Sequence, residues 1–130
     1  MFKKIVFASL LAVSLNLMAH EGHNQTPGSL KANHGGTVKA GKEINLEFVA
    51  SGNELKLYPA SHEGSDLALT DVKITATAKL PKGKPENLKI ENKNGTLVAT
   101  IDFKTAYRIE VVATADYKGK KDTFKFQIEK

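Results

Sequence analysis

The chain has 130 residues, a formal charge of +5 at pH 7, and neither cysteine nor tryptophan. The lack of cysteine excludes disulfides and thiolate zinc sites, so any metal ligands must be histidine, carboxylate, methionine, amide or backbone groups. Basic and acidic residues are mixed along the chain, and no basic block with interleaved aromatics occurs. This pattern argues against nucleic-acid binding.

Residues 1–19 have the three parts of a cleavable secretory signal peptide. Two lysines supply the positive start, an apolar stretch covers 5–17, and Ala19 is the small residue before the expected cut. The apolar stretch is shorter than the ~20 residues that span a bilayer. The sequence therefore predicts a periplasmic or extracellular protein, with the periplasm as the expected location, that begins near His20 and does not insert into a membrane after processing. The alternative is that residues 1–19 form an amino-terminal anchor or a core helix.

The segment 20–33 is polar and rich in Gly, Pro, Asn and Gln. Such a segment buries too little surface to offset the entropy of ordering, so it predicts a flexible arm in front of a domain at 34–130. Three of the four histidines, His20, His23 and His34, lie in this arm or directly after it.

These three histidines are the candidate metal ligands, together with Glu21. If cleavage makes His20 the first residue, its α-amine and imidazole can close a chelate ring on one metal ion, and His23 adds a third nitrogen. Amine and imidazole nitrogens suit Cu(II), Ni(II) and Zn(II), with copper favoured by the general order of affinity. The alternative is that His20 and His23 are solvated arm residues and that His34 is a turn residue.

The rest of the chain alternates apolar and polar residues with a period of two, which is typical of half-buried strands. The alternating rows are 44–48, 55–57, 72–78, 88–90, 97–103, 107–113 and 124–128. Gly and Asn at 51–53, 93–95 and 117–120 indicate tight hairpin turns, because both residues accept positive φ. The sequence predicts an all-β fold, an immunoglobulin-like antiparallel β-sandwich of about seven strands.

Tyr107 begins a row that resembles the penultimate strand of immunoglobulin-like domains. In such domains a tyrosine at this place caps the preceding corner through its hydroxyl. The alternative is a tyrosine buried in the core.

Catalytic motifs are missing from the sequence. It contains no G-x-S-x-G, H-E-x-x-H or Gly-rich phosphate loop. We expect every Asp and Glu to lie at an outward strand position or in a loop, where solvated carboxylates are poor general acids. The prediction is a protein that is not an enzyme and has no catalytic residues.

Three segments together resemble a known family: NHGGTV at 33–38, AGKEINLEF at 40–48 and ELKLY at 54–58. They are similar to the small β-domain of periplasmic heavy-metal efflux components and of stand-alone periplasmic proteins of the same kind. The row at 107–113 and the amino-terminal HEGH also match. The resemblance implies binding or sensing of Cu, Zn, Ni, Co or Cd beside a tripartite exporter, with a periplasmic component of the pump as partner.

The chain lacks the coiled-coil hairpin, lipoyl-like half and barrel of adaptor subunits, so the resemblance implies a carrier or accessory protein. Periplasmic copper-resistance carriers, which also begin with His, offer a weaker resemblance that only His20 supports. The expected function is binding of copper or zinc in a heavy-metal efflux or resistance system. The alternative is an envelope interaction module without metal chemistry.

Overall fold

The computed structural model describes residues 30–130, and these form nine strands. The strands are β1 Thr37–Ala40, β2 Asn45–Ser51, β3 Glu54–Ala60, β4 Val72–Lys79, β5 Glu86–Asn87, β6 Ile90–Lys93, β7 Thr96–Thr100, β8 Arg108–Tyr117 and β9 Lys120–Glu129. The described residues include no helix with the length and apolar composition needed to cross a membrane.

The strands form two antiparallel sheets, with the orders β1-β2-β3-β7-β6 and β5-β4-β8-β9. Apart from β1, this is the order in which the strands of immunoglobulin-like domains divide between their two sheets. The all-β sandwich predicted from the sequence is confirmed. The seven predicted rows fall on or beside seven of the strands, and β1 and β5 are additional short strands at sheet edges.

Alternation and turn chemistry explain why these residues form strands. In β4 and β9 buried and more exposed residues alternate along most of each strand, so each strand has one apolar face. The turn between β6 and β7 has positive φ at Asn94 (53°) and Gly95 (86°), and the turn between β8 and β9 repeats this at Lys118 and Gly119. Two-residue turns of this kind match the twist of the strands that they connect.

The core lies between the two sheets. Phe48 of β2 and Phe126 of β9 stack across it, with ring centroids 3.8 Å apart and an interplanar angle of 11°. Both side chains are buried. This stack is a direct contact between the sheets.

Tyr107 is neither a corner cap nor a core residue, so both interpretations of this tyrosine are wrong. Its side chain is 82% exposed. The residue lies just before β8, which begins at Arg108, and the buried row of that strand starts at Ile109. The periodic pattern continues in the sequence past the point where the facing sheet covers it.

The two ends of the sandwich carry different loops. The proximal end carries the loop 61–71 and the turn 118–119, because Val72 pairs with Tyr117 and Tyr117 with Lys120. The distal end carries the loops 80–85 and 101–107, which follow the last residues of β4 and β7.

The stack between the sheets leads to a stability prediction. Phe126→Ala should lower the free energy of unfolding by about 3–5 kcal/mol, because it removes a buried ring and leaves a cavity. Urea denaturation followed by circular dichroism measures this. The control is Tyr107→Ala, which removes an exposed ring and should change stability by no more than about 0.5 kcal/mol. Equal losses in the two variants would contradict the stacking of Phe126 on Phe48 in the core.

Candidate functional site around His34

Glu47 holds the start of the described chain to the outer face of its sheet. It alternates with core residues of β2, so its side chain points away from the core, yet it is only 3% exposed. Its Oε1 accepts a hydrogen bond from the backbone N–H of Asn33 at 3.0 Å. Its Oε2 accepts from the N–H groups of His34 and Gly36, both at 2.8 Å. One carboxylate thus accepts hydrogen bonds from three backbone N–H groups that have no partner in a neighbouring strand.

The two glycines after His34 are each required for a different physical reason. Gly35 has a φ of 77°, which side chains disfavour. A Cβ on Gly36 would lie 2.3 Å from the carbonyl oxygen of Phe48 and 2.7 Å from Cγ2 of Val49. The first glycine turns the chain, and the second lets it pass close over β2.

The imidazole of His34 is fixed by two contacts. It stacks on the ring of Tyr58, with centroids 3.7 Å apart and an interplanar angle of 10°. Its Nε2 lies 2.9 Å from Oδ2 and 3.2 Å from Oδ1 of Asp66, in the proximal loop. The side chain of Asn33 donates to the carbonyl oxygen of Gly64 at 2.5 Å, so residues 33 and 34 both attach to this loop.

The contact with Asp66 decides which ring nitrogen of His34 is available. An ionised carboxylate only accepts hydrogen bonds, so Nε2 carries the proton in this pair. In the neutral ring Nδ1 then keeps its lone pair, and it makes no hydrogen bond to any residue in the range 30–130. Histidines that bind metals usually give their other ring N–H to a carboxylate, carbonyl or water in this way.

The other candidate ligands, His20, Glu21 and His23, lie outside the described residues, as does the predicted signal peptide. Within residues 30–130 no group of three or more His, Asp or Glu side chains is arranged to hold a metal ion. Any complete coordination shell needs donors from outside this part of the chain.

Asp122 is a second buried carboxylate that binds backbone N–H groups. It is 5% exposed. Its Oδ1 accepts from the N–H of Lys42 at 2.9 Å, and its Oδ2 accepts from Glu43 at 2.8 Å and Ile44 at 3.0 Å. The expectation that every carboxylate is solvated is therefore wrong for Glu47 and Asp122.

The surroundings of Asp122 act on its pKa in opposite directions. Burial raises the pKa, but the three N–H donors and the nearby His62 together bring it below the ordinary value of 3.8. The imidazole Nε2 of His62 lies 2.9 Å from the carbonyl oxygen of Gly41. A Cβ on Gly41 would lie 2.8 Å from the carboxylate, so glycine is needed there.

The fold defines the class of protein: a small immunoglobulin-like β-sandwich with an amino-terminal segment held across one face. No protein-family model matches the chain, and no curated protein does. Among solved structures it is similar to a DUF4426 family protein from Pseudomonas aeruginosa. The TM-score is 0.60 at 16% identity, covering 72% of this chain and 96% of that chain. At this identity the likeness shows the fold alone.

Gly36→Ala tests the close passage of the chain over β2. The added Cβ meets a backbone oxygen that cannot rotate away, so we expect the free energy of unfolding to fall by about 1–3 kcal/mol. Chemical denaturation measures the loss. Gly83→Ala is the matched control, because the nearest atoms there are 3.3 Å from the new Cβ. A loss in the control as large as that in Gly36→Ala would contradict the interpretation.

Asp122→Asn tests whether the second buried carboxylate stabilises the fold, through the pH dependence of the free energy of unfolding. An amide offers one acceptor oxygen and places an N–H₂ against an N–H donor, which should cost about 1–3 kcal/mol at neutral pH. Because the folded pKa of Asp122 is depressed, its stabilisation is complete above the unfolded pKa and disappears as the pH falls through the folded pKa.

The measurement for Asp122 is the free energy of unfolding of both proteins between pH 7 and about pH 2. The difference between wild type and Asp122→Asn should be constant from about pH 7 to 5 and should shrink below about pH 4. Asp71→Asn is the control, because Asp71 is exposed. A difference that stays constant down to the lowest pH would refute the assignment.

Proposed function

We propose that the protein is a periplasmic metal-ion carrier or accessory protein of a heavy-metal efflux or resistance system, with copper or zinc as its cargo. The observation that carries the proposal is the hydrogen bonding of the His34 imidazole. Its Nε2 is held by Asp66 at 2.9 Å, which leaves Nδ1 as a nitrogen donor. This imidazole follows directly on the segment that contains His20 and His23.

The proposed ligands are nitrogen and carboxylate groups. His34 supplies one imidazole from the domain, and His20 and His23 supply two more, with the α-amine of His20 and the carboxylate of Glu21 as further donors. Such a set suits Cu(II) and Zn(II), which prefer imidazole, amine and carboxylate. Ten residues separate His23 from His34. That length of chain reaches up to roughly 35 Å, so all three histidines are able to meet at one ion.

Asp66 and Tyr58 are the positioning residues in this proposal. The carboxylate fixes the tautomer and the orientation of the imidazole, as outer carboxylates do in other metal sites. The stacked tyrosine limits rotation of the ring. Affinity should rise with pH, because imidazole and amine must lose their protons to bind.

The proposal predicts metal uptake by the mature protein that begins at His20. Isothermal titration calorimetry with Cu(II) or Zn(II) should detect one bound ion, and His20→Ala/His23→Ala should abolish binding. Asp66→Asn should weaken it by about 10–100-fold, as is typical for an outer partner of a ligand. His62→Ala is the matched control and should bind normally, because His62 contacts the carbonyl oxygen of Gly41.

Two further results test whether the protein binds metal and whether the α-amine of His20 is a ligand. A mature protein that takes up no metal would sink the proposal and favour the interaction module without metal chemistry. A protein with one extra residue before His20 should bind more weakly, because the α-amine is displaced from its own imidazole. Equal affinity with and without that residue would remove the amine from the ligand set while leaving the three imidazoles in place.

A further inference from the structure

The distal end of the sandwich carries an apolar groove between its two loops. The groove has a volume of about 460 Å³, and Leu80, Pro81, Phe103, Ala106 and Tyr107 line its apolar part. The ring of Tyr107 is 82% exposed, which distinguishes it from the other large hydrophobic side chains in residues 30–130. An exposed aromatic beside a concave apolar surface is typical of a binding site.

Both walls of this groove are tight turns. The N–H of Gly83 donates to the carbonyl oxygen of Leu80 at 2.8 Å, and the N–H of Ala106 donates to that of Phe103 at 2.9 Å. Lys82 and Lys104 lie within these turns with φ of 73° and 52°. Turns closed by hydrogen bonds keep the groove open without a partner, and a preformed groove lowers the entropic cost of binding.

Positive charge surrounds the groove. A polar cavity of about 220 Å³ adjoins it, shares Leu80 and Lys104 with it, and adds Lys84 and Lys89. Arg108 lies at the other side of the groove.

Ion pairs neutralise two of these cations. Lys104 pairs with Asp102, and Lys89 pairs with Glu91. The remaining cations, Lys82, Lys84 and Arg108, form no ion pair with any residue that the structure describes.

Acidic groups near this end offset only part of this charge. The linings of the distal cavities contain five basic residues (Lys79, Lys84, Lys89, Lys104 and Arg108) and three acidic ones (Glu86, Asp102 and Glu110). Glu86 lines the polar cavity, and Asp102 is already paired with Lys104. Glu129 is the cross-strand partner of Arg108 in the register, but the two side chains are not within ion-pair distance. The groove therefore has an apolar floor and a rim with a net positive charge.

We propose that the distal groove binds an acidic segment of a partner protein. One aromatic or aliphatic side chain of the segment inserts between Leu80 and Tyr107, and flanking carboxylates contact Lys84 and Arg108. Tyr and Arg are the residues that most often dominate the energy of protein interfaces. An apolar groove accepts anchoring side chains of a peptide segment, which favours a peptide over a lipid surface.

This site is separate from the proposed metal site. His34 attaches to the proximal loop, whereas the groove lies at the other end of β4 and β8. A partner segment in the groove therefore leaves the face around His34 open. Failure of one proposal leaves the other unaffected.

The test is fluorescence anisotropy with the mature protein and fluorescein-labelled acidic peptides. Each peptide has glutamates on both sides of a central Phe, Leu or Trp. We expect saturable binding to at least one of them. Replacing its glutamates by glutamine, or its central residue by serine, should weaken binding about tenfold or more, because each subsite loses its ligand. These peptide changes leave the fold of the protein untouched.

Protein variants complete the test. Tyr107→Ser and Arg108→Gln should each weaken binding about tenfold, since both replace exposed side chains of the groove. Lys121→Gln is the matched control, because Lys121 is an exposed lysine of β9 near the proximal end, and its affinity should equal that of wild type.

Three results would overturn the proposal. The first is no saturable binding of any of the acidic peptides. The second is an equal loss of affinity in Arg108→Gln and Lys121→Gln, which would indicate diffuse charge attraction. The third is sedimentation with phosphatidylglycerol vesicles that depends on Tyr107 while peptide binding does not, which would indicate a membrane surface.

Discussion

Six backbone N–H groups on either side of β1 lie outside the strands, and two buried carboxylates accept their hydrogen bonds. Glu47 accepts three from the segment around His34, and Asp122 accepts three from residues 42–44. A buried carboxylate is stable only when its oxygens are fully hydrogen-bonded, and the donors need an acceptor as much. The path of the chain into the sandwich, and so the position of His34, depends on this mutual requirement.

This constraint gives the HGG sequence a structural meaning beside any role in metal binding. The turn at Gly35 and the close passage at Gly36 bring the N–H groups to Glu47, and His34 then reaches both Tyr58 and Asp66. The same contacts that attach the segment also leave one ring nitrogen of His34 free of hydrogen bonds to the described residues. Structural attachment and ligand orientation are therefore compatible uses of one histidine.

The two proposed sites lie at opposite ends of a sandwich whose sheets are packed through a continuous apolar core. Loops and termini supply the groups at both ends, as is usual when a rigid scaffold carries function on its connections. A protein of this design would hold an ion near one end while a partner occupies the other. This arrangement is compatible with the proposed role as an accessory protein.

Local patterns in the sequence determined the sandwich, because alternation and Gly or Asn turns act over a few residues. The sequence also indicates that Asp122 is buried, because it is the one charged residue in the inward-facing row with Phe124 and Phe126. Only the tertiary structure decided that Glu47 is buried, since it occupies an outward position that a distant segment covers. It also decided that Tyr107 is exposed and that His34 meets Asp66. These facts depend on which chain segments cover one another, and periodicity carries no information about that.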